Sequence, residues 1–150
     1  MGNKPYIQIE FTTDEINTST ASDLPQRGCG GVCVFIGQTR PAQDAVHGDL
    51  LALQYDCYKD MAYIELNRIA KEALNQFSIH CIRITHSLGT VPVSKASVVI
   101  AVGCDHRDEA FTTCQFLIDT LKNSVPIWKK EIWSRQSTWS KGTLLEQPIP

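Results

Sequence analysis

The chain lacks several features that would each mark a class of protein. Its six cysteines, Cys29, Cys33, Cys57, Cys81, Cys104 and Cys114, include no C-x-x-C pair. That spacing argues against a zinc ribbon or a thioredoxin-like redox site. Most of them sit inside apolar runs, where a free thiol behaves as a small hydrophobe, so reduced and mostly buried cysteines are expected. Cys29, in Gly28-Cys29-Gly30-Gly31, looks the least buried. No apolar run approaches the roughly 20 residues that cross a bilayer. Met1 to Thr13 has one lysine and no hydrophobic stretch, so it does not read as a secretory signal, and a cytoplasmic protein is expected. Charge of one sign is missing too: 14 Lys and Arg face 16 Asp and Glu, for a net charge of -2. Nothing global then draws the chain to nucleic acid or to an anionic membrane, and a basic site has to be local. The glycines of Gly28-Cys29-Gly30-Gly31 precede a strand instead of following one, which fits neither nucleotide-binding motif. His80 and His86 lie roughly 20 Å apart along an extended strand, too far to share a metal ion. Neither a metal nor a cofactor is expected.

What is present is a patterned chain of 150 residues, enough for one domain. Pro5 to Phe11 alternates with period 2, a strand with one apolar face. Thr13 to Asp23 is polar and reads as a short helix opened by Thr13. Leu24 to Gly31 is a loop, and Val32 to Ile36 is a continuous β-branched run typical of a buried strand. A long polar loop, Gly37 to Asp49, follows, then an alternating strand in which Leu51, Leu53, Tyr55 and Cys57 share a face. Asp60 is placed to cap a helix reaching about Phe77, with Ala62, Leu66, Ile69, Ala70, Ala73, Leu74 and Phe77 on its stripe. Strands are expected at His80 to Leu88 and Ala96 to Cys104, around a turn with Gly89 and Pro92. Asp105 starts a second helix that Pro126 ends. Ile127 to Ser134 is extended, and the polar tail from about residue 140 reads as mobile. Strands and helices do not alternate strictly, so a doubly wound parallel sheet is disfavoured. The pattern predicts an α+β fold, a single domain with a mixed, largely antiparallel sheet and two main helices.

Several residues stand out chemically, each with an ordinary alternative. His106 and Arg107 occupy the first turn of the second helix, where cations oppose the dipole. Exposed backbone N–H groups beside His and Arg suit an anion such as phosphate, although a solvated helix start is equally compatible. Lys122 closes the same helix, where a cation is electrostatically favoured in any case. Lys129 and Lys130 are neighbours on a strand, so only one can face a given pocket. Arg40 enters the long loop at a strand end, a good position for a ligand and also a common one for a surface arginine.

These residues also carry a family resemblance. Val34-Phe35-Ile36-Gly37-Gln38-Thr39-Arg40 resembles the strand-and-loop signature of the molybdopterin synthase large subunit, as does Cys104-Asp105-His106-Arg107 with the helix behind it. The most specific match is Leu121-Lys122-Asn123-Ser124-Val125-Pro126-Ile127-Trp128-Lys129-Lys130-Glu131. The resemblance covers roughly Gly28 to Trp139, with Pro41 standing where bacterial members often have Asn. It implies a sulfurtransferase that converts cyclic pyranopterin monophosphate to molybdopterin. Sulfur would arrive as a thiocarboxylate on the C-terminus of a small ubiquitin-like partner subunit, in a heterotetramer built on a homodimer of large subunits. It implies Lys122 and Lys129 as catalytic residues, with Arg40, His106 and Arg107 on the substrate and Gln38, Thr39, Lys130 and Glu131 beside it.

Such chemistry brings two anions together, which calls for a local cluster of cations. It also needs an acid–base group, because pterin oxygen leaves as water, and a lysine with a lowered pKa can serve. His106 and Lys122 are sixteen residues apart, about 24 Å along one helix. One substrate cannot bridge that, so a shared site would take His106 and Arg107 from a second copy. Two other readings remain: a persulfide carrier using Cys29 or Cys57, and a non-enzymatic module that binds an anionic metabolite or a ubiquitin-like tail.

Overall fold

In the computed structural model, residues 4–25 and 28–139 are described. The most apolar stretch forms strand β7 (Ala96–Cys104), which is buried along its whole length. A strand buried on both faces needs cover on both sides, and the fold supplies it. β7 lies inside a four-stranded sheet of order β1-β5-β7-β2, with β1 spanning Tyr6–Thr12, β2 Gly31–Gln38 and β5 Ile79–Ser87. β1 and β5 run parallel and the other pairs antiparallel. Helices α1 (Lys59–Gln76) and α2 (Arg107–Ser124) cover one face. The α1 residues Leu66 and Ile69 and the α2 residues Leu117 and Ile118 pack there on Ile82, Ile84, Ile100 and Val102. The segment around Ile16 and Ala21 covers part of the other face, against Ala96 and Val99.

A second, five-stranded sheet is antiparallel throughout. β4 (Gly48–Cys57) pairs with β8 (Ile127–Trp133) on one side and with β3 (Gln43–Asp44) and β6 (Thr90–Pro92) on the other. β9 (Ser137–Trp139) adds to β8. The α+β class, the two helices and the largely antiparallel pairing are as expected, and no helix among the described residues is long and apolar enough to cross a membrane.

The differences are local and have physical causes. The long loop, the turn after β5 and the start of the tail each contribute a short strand, because β4 and β8 offer unpaired edges that polar segments can complete. The rest of the tail, 140–150, lies outside the described residues. Between Thr13 and Asp23 there is only a 3-10 turn, Thr18–Thr20, with the Asn17 side chain accepting from the Ser19 N–H. α1 is capped by Tyr58 and α2 by His106, neither through a side-chain bond, so Asp60 falls in the first turn and Asp105 outside the helix. Asp105 is used elsewhere, as its Oδ1 lies 2.5 Å from His80 Nε2. Leu51 does not share the face of Leu53: an irregularity between Leu50 and Ala52 leaves it 50% exposed. A bulge of this kind reverses the phase of the alternation.

Candidate active site

α2 and β8 are joined by a corner two residues long. Val125 ends the helix in extended conformation, with its N–H donated to Leu121 O at 3.1 Å. Val125 and Ile127 are both fully buried, which pins the corner on either side of Pro126. Lys122, in the last helical turn, is thereby folded back toward Lys129. Strand parity then sorts β8. Lys129 and Glu131 line a cavity of about 410 Å³, together with Lys122, Arg40, Gln38 and the β4 residue Tyr55. Lys130 points the other way, opposite Gln54 in the ladder, and is absent from the cavity wall.

The cavity lies where the two sheets meet, with the end of β2 as its third side. Gln38 and Arg40 reach it and Thr39, between them, does not. Thr39 is 1% exposed and donates its hydroxyl to Val91 O at 3.1 Å. Its backbone accepts from Ser94 at 2.8 Å and donates to Lys95 O at 3.0 Å. Thr39 is thus an anchor that aims its two neighbours.

Three cations and one carboxylate face this space. Lys129 is half-buried, and burial pushes its pKa below the usual 10.5, with Lys122 adding to the shift and Glu131 opposing it. Behind the wall lies His86, 4% exposed, with Nδ1 2.8 Å from Ser87 O and its ring edge-on to Tyr55 at 5.2 Å. Burial first, and then Lys122 and Lys129, lower its pKa to about 4, against the bond to Ser87. His86 is therefore neutral at physiological pH, and its Nδ1 carries the proton that the carbonyl accepts.

His106 and Arg107 are not brought to this cavity. They sit at the far end of α2, where the His106 side chain is 82% exposed and lies 3.5 Å from Glu109. The loop before β2 fixes that helix start. Gly30 donates to Cys104 O at 2.9 Å, and the space its Cβ would fill is taken by the Asp105 carbonyl oxygen. No cysteine lines the cavity either. Among the other residues of the cavity wall are Phe35, Tyr55 and Ser97, which the sequence did not single out as site residues. No local pattern marks them, since their place depends on strand register and on the angle between the sheets.

The MoaE protein family matches residues 10–124. The chain belongs to that family. A human relative, a molybdopterin synthase catalytic subunit, is 37% identical over 87% of this chain and 69% of its own length. One of the same name from Culex quinquefasciatus is 37% identical over 89% of this chain and 92% of its own. Among solved structures, the molybdopterin synthase of Staphylococcus aureus superimposes with a TM-score of 0.78 at 30% identity, covering 94% of this chain and 99% of that one. A two-subunit complex of the molybdopterin-converting factor from Helicobacter pylori shares the fold, with a TM-score of 0.70 at 19% identity. Family membership makes the chain an enzyme of molybdenum cofactor biosynthesis, the sulfur-transferring half of a molybdopterin synthase.

Proposed function

We propose that the cavity bounded by Arg40, Lys122 and Lys129 is where sulfur passes from the thiocarboxylate of a small ubiquitin-like carrier to cyclic pyranopterin monophosphate. The carrying observation is the convergence of three cations on one cavity in a chain whose net charge is -2. Phosphate and thiocarboxylate repel each other, and fixed cations in a partly buried site offset that repulsion far better than solvent does. Arg40 and Lys122, both at the rim, hold the anions. Lys129 is the acid–base group, because its lowered pKa lets it give up and regain a proton near neutral pH more readily than an ordinary lysine. Glu131 steadies the lysine charge, and Gln38 offers a neutral amide to the pterin. Thr39 and Lys130 contribute through the positions of their neighbours. The carrier supplies the sulfur, so no thiol of this chain takes part. Burial, and then Asp56, push the Cys57 thiol up to about 11, which disfavours the thiolate that a persulfide carrier needs.

His106 and Arg107 serve the site of a second copy, at the phosphate end. Two features support a homodimer that shares its sites. The helix start is solvent-facing although cations there cost stability. Close to it, Val32 and Phe111 are exposed by 36% and 64%, and Phe35, farther along the same edge strand β2 as Val32, by 37%. Open edges and exposed apolar residues invite pairing. A small carrier subunit as partner is supported by the two-subunit complex from H. pylori, and with one carrier on each copy the assembly is a heterotetramer. Six free thiols suit a reducing, cytoplasmic setting.

The test is incubation of the full chain with the pterin precursor and thiocarboxylated carrier, with molybdopterin as the readout. Product from the wild type and far less of it from Lys129→Ala is the expected result. Product that depends on Cys29 or Cys57 would overturn it in favour of a persulfide route, and carrier binding without product would leave a binding module.

A further inference from the structure

Tyr55 stands directly across from Lys129 in the β4–β8 ladder. Cross-strand partners in such a ladder have neighbouring side chains on one face. Tyr55 lines the cavity with Ser97 and Gly37. The Gly37 carbonyl can only accept, so Ser97 Oγ donates to it across 3.3 Å and spends its one hydroxyl proton there. The phenolic oxygen of Tyr55, beside the cavity, keeps acceptor capacity for a ligand. Burial pushes the phenol's pKa above its usual value, against the neighbouring Ser97, so the phenol is neutral at physiological pH. His86 packs edge-on against the ring at 5.2 Å, itself tied to the Ser87 carbonyl, and keeps the ring from turning.

The cations around the cavity can only donate, which suits phosphate and thiocarboxylate. A pterin also carries N–H groups on a flat ring, and these need acceptors. We propose that Tyr55 is a substrate-contacting residue whose phenolic oxygen accepts a hydrogen bond from a ring N–H of the pterin, beside Lys129. This rests on the function proposed above and adds what recognises the ring as distinct from its phosphate.

The experiment is Tyr55→Phe in the full chain, assembled with thiocarboxylated carrier and assayed by steady-state kinetics and by direct binding of the precursor. The ring stays and the oxygen goes. KM for the precursor should rise about tenfold, as expected for one buried hydrogen bond. Binding should weaken by the same factor, with kcat within about twofold and Tm unchanged. A wild-type KM in Tyr55→Phe overturns the proposal, and so does a loss confined to kcat or one that tracks a fall in Tm. If the wild-type chain neither binds nor converts the precursor, the proposed function falls and this inference with it. If the wild type turns over normally and Tyr55→Phe matches it, only this inference is lost.

Discussion

The two ends of α2 make an instructive pair. At the C-terminal end Lys122 is folded by a two-residue corner toward a second lysine, a tyrosine and an arginine on three other segments. Burial there is sufficient to depress the pKa of Lys129 and to hold His86 neutral. At the N-terminal end Arg107 carries the same sign of charge, yet His106 beside it is 82% exposed and caps the helix without a side-chain bond. The helix dipole favours the lysine and disfavours the other pair. One end is thus a walled cluster of cations, while the other bears a small electrostatic cost that a bound anion would relieve. A positive charge becomes chemically useful when the fold places a wall opposite it, and one chain does this for one end of α2.

That contrast can be broken in several ways, beginning with the largest effect. Lys129→Ala should lower product formation by about 10²–10⁴-fold, the range for a lost acid–base group, whereas Lys130→Ala on the opposite face of β8 should stay near wild type. Rate assays on the two variants check the parity argument directly. Next, Leu117 in the middle of α2 is fully buried, so Leu117→Ala should cost about 2–5 kcal/mol in chemical denaturation. Phe111→Ala, exposed by 64%, should leave the monomer's stability nearly intact and lower the apparent mass in sedimentation if a second copy covers it.

His86 predicts a comparable pH effect. Its folded pKa of about 4 lies below the ordinary 6.5, so between those values the unfolded chain binds a proton that the native chain does not. Stability therefore rises with pH across that window and is lost as pH falls from 6.5 toward 4, by up to about 3 kcal/mol. In His86→Gln this part of the slope should vanish from urea midpoints measured against pH. A smaller effect is expected at the exposed helix start. His106→Ala should raise KM for the precursor about tenfold, the worth of one charge-assisted contact, with kcat less affected. Mixing His106→Ala chains with Lys122→Ala chains should restore activity, since one of the two composite sites then holds both groups. No recovery would mean that the two groups do not serve one shared site. Least of all, Asp105→Asn weakens the pair with His80, partly exposed on both sides, and should cost under about 1 kcal/mol in thermal melts.

Legibility in the sequence followed the range of the interaction involved. The stripe of α1 and the unbroken apolar run of β7 were readable because periodicity is a local signal: β7 is buried throughout, and α1 buries its stripe except at Leu74 and Phe77, which are half-buried at its end. Helix starts were read one or two residues away from where they lie, since Asp60 and Asp105 are good caps in isolation. Tertiary contacts outbid them, His80 taking Asp105. The short strands β3, β6 and β9 carry no apolar pattern because they complete the edges of other strands. In the site, five of the nine candidate residues (Gln38, Arg40, Lys122, Lys129 and Glu131) meet at one cavity. Thr39 faces inward to its own anchor bonds, and Tyr55 went unseen because its partner lies seventy-four residues away in the chain.

By itself, the sequence determined the fold class, the family and the set of cations available for chemistry, all of which rest on short-range pattern or on motif order. It also determined that His106 and Lys122 cannot meet on one helix, because helical rise is fixed by backbone geometry. Tertiary structure alone decided which of two adjacent lysines faces the cavity, which acid was diverted from its cap, and that a tyrosine stands opposite Lys129. Those outcomes depend on strand register and on the angle between two sheets, and neither is encoded within any single stretch of the chain.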